Sequence, residues 1–124
     1  MAVFKTKAFN RFARKENIGD AILLETAAAV VAGRVDADLG GGVFKQRIAR
    51  PGEGKSGGIR TLVLFRRGWH VFFAYGFAKS ARANISGDEL TAFRRLADEY
   101  LLLDSQQLTI AARGGEIIEV TARD

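Results

Sequence analysis

Lys45 and Arg47 stand two apart in a segment whose apolar period is two, so alternation puts both on one face of a strand, and Arg60 on the next strand can join them. Three cations on one sheet face repel each other unless an anion sits among them or they splay into solvent. A phosphodiester backbone is the functional alternative to a merely solvated basic face. RNA carries its own nucleophile, so its cleavage needs the 2′-OH deprotonated, the pentacovalent phosphorane stabilised and the 5′-oxygen protonated. Preorganised Arg47, Arg60 and Lys45 donors would do the second task without metal, at roughly 3–4 kcal/mol for each well-placed donor. The base stays open. A Lys amine among cationic neighbours is one candidate, since like charges favour its neutral form; Tyr75 and His70 are weaker ones.

A second polar group follows the apolar run Phe72 to Ala78, where Lys79, Arg82 and Asn84 precede Ser86. Sheet proteins commonly place sites at such strand ends. The aromatics of the run itself are expected in the core. Between residues 45 and 82 the only acidic side chain is Glu53, which argues against a carboxylate cluster for Mg²⁺ and against a two-metal nuclease. With no Cys and one His, neither a thiolate nor a His-rich metal site can be assembled, and no cofactor is expected. Gly52-Glu-Gly54-Lys-Ser-Gly57 fits G-x-G-x-x-G and contains Gly-Lys-Ser, yet a phosphate-binding turn must lead from a strand into a helix. Here a strand follows, and Ala49 stands where the Walker spacing needs Gly. A hairpin loop is the better reading.

The whole chain of 124 residues carries 19 Lys+Arg against 14 Asp+Glu, a net charge of +5 and a pI near 10.0. Residues 45–82 hold 9 of the cations and residues 83–124 hold 8 of the acids, so a basic block precedes an acidic C-terminal third. That distribution favours a polyanionic partner. The length fits one domain, 1–124, and excludes a multi-domain enzyme. Absence of Cys suits a reducing compartment. The longest apolar run, Ala27 to Ala32, is far short of the roughly 18 residues of a membrane span, so a cytoplasmic protein is expected.

The elements that must position these residues can be read in order. Val3 to Thr6 suggests a short edge strand, and Lys7 to Lys15 a short basic helix with Phe9 and Phe12 on one side. Asp20 to Val31 predicts a second helix with Ala21, Leu24, Ala28 and Val31 at helical spacing and a left-handed cap at Gly33. Past the loop Asp36 to Gly42, strands are expected over Val43 to Ala49, Ile59 to Arg66 and Trp69 to Phe77, forming an antiparallel meander. Ser86-Gly-Asp-Glu89 is a capping box opening a helix to about Leu103 with Leu90, Phe93, Ala97 and Tyr100 on one face. Asp104-Ser-Gln-Gln107 repeats the signal for a short helix to Arg113, and Glu116 to Val120 is a last strand or a tail. The fold class is α+β, with an N-terminal helical hairpin on a small antiparallel sheet and C-terminal helices.

Lys55 to Arg66 followed by Val71 to Ile85, with Asp36 to Gly42 and Lys45-Gln-Arg47 before them, resembles the RelE/ParE superfamily of bacterial type II toxins, most closely its RelE-like, HigB-type branch. The likeness covers nearly the whole chain. It implies a RelE-like microbial-RNase fold and a toxin, held by a cognate antitoxin, that cleaves mRNA on the translating ribosome and so inhibits translation. Carried over by position, Lys45 and Arg47 match the family's paired cations, Arg60 the Arg of its Gly-aromatic-Arg segment, and Lys79 and Arg82 its basic segment after the last central strand. These five are the expected catalytic residues; Arg50, Lys55, Arg66 and Asn84 are the expected RNA contacts. The chain has Ile59 for the usual Tyr, Ser80 where RelE has Arg, and no Tyr near Ile85, so the likeness does not name the acid or the base. In the ParE branch the same fold inhibits DNA gyrase, which is the alternative activity.

Overall fold

The computed structural model describes residues 1–50 and 54–121 and, within them, all side chains save those of 49, 50 and 54–57. Its order is β1 (Val3–Thr6), α1 (Lys7–Lys15), α2 (Asp20–Val31), β2 (Ala37–Asp38), β3 (Val43–Arg50), β4 (Gly54–Leu64), β5 (Val71–Ala78), α3 (Gly87–Tyr100), α4 (Ser105–Arg113) and β6 (Ile117–Glu119). The class is α+β. Strands β3, β4 and β5 form the expected antiparallel meander in a mixed sheet of order β2-β3-β4-β5-β1-β6.

The helix signals act as read. Thr6 caps α1 by accepting from the Phe9 amide, and Asn17, left-handed at φ 57, turns the chain into α2. Both capping boxes are complete, Ser86 with Glu89 and Asp104 with Gln107. The C-terminal segment is a strand over Ile117–Glu119.

Two expectations are overturned. β1 is not an edge strand: it lies between β5 and β6, parallel to the first and antiparallel to the second. Parallel pairing with a strand so distant in sequence leaves no local signal. In α2 the buried face is Leu23, Ala27 and Val30, while Ala21, Ala28 and Val31 are exposed. An Ala-rich helix with apolar residues on several sides does not announce which side goes in.

Each sheet face carries its own core. Helices α1 and α2 cover Ile48, Ile59, Val63, Val71 and Phe73, packing Phe9, Leu23, Ala27 and Val30 against them. At Gly76 a Cβ would overlap the Phe12 ring, so the absence of a side chain there lets α1 lie directly on β5. On the opposite face α3 and α4 cover Val43, Leu64 and Phe72 with Ala97, Tyr100, Leu101 and Leu108. A buried Lys5 donates to Asp20 at 2.8 Å, and the other Asp20 oxygen accepts from the Thr121 amide at 3.0 Å, tying β1, α2 and the chain past β6 together. Burial alone would raise the Asp20 carboxyl, but these hydrogen bonds bring it below its usual value.

Candidate nucleic-acid interface

Directly paired residues of antiparallel strands share a face, so the register assembles the site in two rows. Arg47 pairs with Arg60, and Arg60 with Phe77; one step along, Lys45 pairs with Leu62, and Leu62 with Tyr75. The three cations of the sequence reading are therefore neighbours. They lie beyond the part of this face that carries the α3 and α4 core.

Tyr75 owes its place to a bulge. The pairing shifts between Leu62 and Val63, leaving Ala74 as an extra residue on β5. A regular strand would put Phe73 and Tyr75 on the same side; the extra residue sends Phe73 into the α1 and α2 core and Tyr75, half-buried, onto the arginine face. The expectation that the run's aromatics are core holds for Phe72, Phe73 and Phe77. Tyr75 is the departure.

Arg82 arrives from the turn after β5. Its guanidinium lies over the Phe77 ring, 5.7 Å from the centroid, and donates to the Tyr75 hydroxyl at 3.2 Å. It also forks onto Glu89 at 2.9 and 2.5 Å. The Glu89 carboxyl is held down to about 2, first by Arg82 and then by the Ser86 amide, and the same contacts raise Arg82 further above its ordinary value. One carboxylate thus closes the capping box of α3 and anchors a cation of the site. The sequence signal pointed to the first of these tasks and not the second.

Arg47 is held from the other side. Asp36 accepts from the Arg47 amide at 2.7 Å and from its Nη2 at 3.1 Å. Buried Gln46 fixes that aspartate, accepting from the Asp36 amide and donating to the Arg34 carbonyl, both at 3.0 Å. Neither Gln46 nor Asp36 was marked as part of the site by composition or period.

The remaining candidates are scattered. Lys79 is exposed at the end of β5, its amide donating to the Gly58 carbonyl. Asn84 serves its own turn, accepting from the Ile85 amide through its side chain and from Arg82 Nε through its carbonyl. Arg66 shares the face of Arg60 but lies past the far end of β4, donating to the Leu101 carbonyl at 2.7 Å and lying 5.1 Å from the Trp69 ring centroid. The structure does not bring it to the cation rows. The side chains of Arg50 and Lys55 lie outside the described residues. The Gly52 to Gly57 motif lies partly outside them too, and its described end enters β4 rather than a helix. His70 is half-buried and accepts from the Ala2 amide at 2.9 Å. Burial, with the nearby amino terminus, lowers its pKa.

This arrangement suits a phosphate chain: fixed guanidinium donors, an aromatic hydroxyl within the same rows and a ring surface at their end. Among the described residues no three His, Cys, Asp or Glu side chains are grouped as metal ligands. No described helix is long and apolar enough to cross a membrane.

The family model for the RelE toxin of the RelE/RelB toxin-antitoxin system matches residues 1–120. The chain belongs to the RelE toxin family. The match spans every described element, so the toxin's mixed sheet and four helices are the family's RelE-like fold, and a cognate antitoxin is the partner that goes with it. No curated protein matches the toxin closely enough to count as a relative.

Proposed function

We propose that the toxin cleaves mRNA on the ribosome by attack of the 2′-OH, without a metal ion, and so stops translation. The observation that carries this reading is the direct pairing of Arg47 with Arg60 beside Lys45 and Tyr75. Like charges placed opposite each other cost stability, and a phosphate between them turns that cost into attraction. In the reaction Arg47, Arg60 and Lys45 hold the phosphorane's growing charge. Tyr75, with Arg82 donating to its oxygen, is the group best placed by geometry to pass a proton, and Lys45 in the same row is the other. Lys79 and Arg82 contribute from the turn, Arg82 chiefly by fixing Tyr75. Arg50, Lys55, Arg66 and Asn84 extend the RNA path, Arg66 from outside the two rows.

Mapping RNA 5′ ends after brief induction tests the reading. Wild type should give discrete cuts in translated mRNA, lost in the Lys45→Ala/Arg47→Ala double variant. Any cleavage of free RNA should persist in EDTA and leave a 2′,3′-cyclic phosphate on the upstream fragment. Intact mRNA during growth arrest would remove the nuclease claim, and arrest with DNA-damage signalling instead would point to gyrase.

A further inference from the structure

We propose that Asp36 is an internal stand-in for phosphate, which the Arg47 guanidinium leaves when a polyanion arrives. The inference rests on the reading above only in taking phosphate as what this face binds.

Three features of the contact carry it. Asp36 meets Arg47 at two different groups, the strand amide through Oδ2 and the guanidinium through Oδ1. The amide bond and the Gln46 clamp on the Asp36 amide hold the carboxylate to the edge of β3 whatever the guanidinium does. The side-chain contact is weaker: one nitrogen at 3.1 Å, on an arginine whose side chain is 41% exposed. Arg47 Nε is buried with no acceptor, so the carboxylate leaves guanidinium donors unsatisfied. Finally, Arg60 sits opposite Arg47, so a phosphate between them gains two cations where Asp36 engages one. Exchange therefore requires a swing of one side chain and no movement of backbone.

Exchange has an ionic signature. A phosphate contact releases a condensed counterion, but here the abandoned Asp36 takes a cation back, so Arg47 contributes almost nothing to the salt dependence. Asp36→Asn keeps an oxygen for the Arg47 amide and removes the charge that competes for the guanidinium. On single-stranded RNA and on inorganic polyphosphate, D36N should bind several-fold tighter at low salt, with a log–log salt slope steeper by about 0.7. A general change of net charge would also tighten binding. The control is R47Q: in that background D36N should lose its effect.

Equal gains from D36N with and without Arg47 would overturn the exchange, as would unchanged slopes or weaker binding by D36N. A polyphosphate response as expected with no RNA binding by either protein would leave the exchange standing and remove the RNA reading. RNA binding that is salt-sensitive but indifferent to D36N would do the reverse. Circular dichroism and the unfolding midpoint of D36N check that the clamp on β3 is intact.

Discussion

One sheet face is carried on Ile48, Ile59, Val63 and Phe73 under two helices, whereas on the other the helices meet Val43, Leu64 and Phe72, and the same strands go on to Lys45, Arg47 and Arg60. Strands β3 and β4 are thus shared by a core and a site, and single-residue alternation separates them. The first face gains by excluding water from apolar surface. The second keeps like charges adjacent, an arrangement that lowers stability and needs an anion to satisfy it. Substitutions on the two faces should therefore move different observables.

The largest effect is expected from the first face. Phe73→Ala removes a ring with no solvent exposure and should cost about 3–5 kcal/mol, read from urea midpoints. That is a large part of the total stability of a small domain. A loss under 1 kcal/mol would mean that the helices do not pack on this face as described. Arg60→Gln makes the opposite cut: about 10²–10³-fold in the cleavage rate, the value of one positioned donor, with a midpoint unchanged or raised. Unfolding in step with the lost activity would show that Arg60 is structural. The smallest effect belongs to His70. Its pKa is lower in the folded protein, so the unfolded chain takes up the proton more readily, and stability should fall as pH drops below 6.5 towards the folded value and then level off. Comparing urea midpoints at pH 7.5 and pH 5.5 for wild type and His70→Gln measures this; equal pH dependence in both would assign the slope to other groups.

What the chain disclosed before its structure follows the range of each interaction. Capping boxes at Ser86 and Asp104, the turn at Asn17 and the alternation of β3 and β4 are encoded within a few residues, and all are realised. The neighbouring cations were legible too, because alternation and one hairpin suffice to bring Arg47 to Arg60. The bulge at Ala74 was not: it reverses Tyr75 without any glycine or proline to mark it. Glu89 was read through one oxygen and works through two. Asp36 and Gln46 meet Arg47 through a loop whose path depends on β2, a strand of two residues.

The placement of β1 has a consequence in time. Phe4 pairs on one side with Phe72 and on the other with Glu119, and the Val120 amide closes onto the Val3 carbonyl at 2.8 Å. A growing chain can make α1, α2 and the meander early, but one flank of its first strand stays open until almost the last residues have left the ribosome. Completion of the sheet is thus coupled to the end of synthesis. The toxin comes to maturity as it parts from the machine that made it, and until then the open flank is a place where another chain's strand can attach.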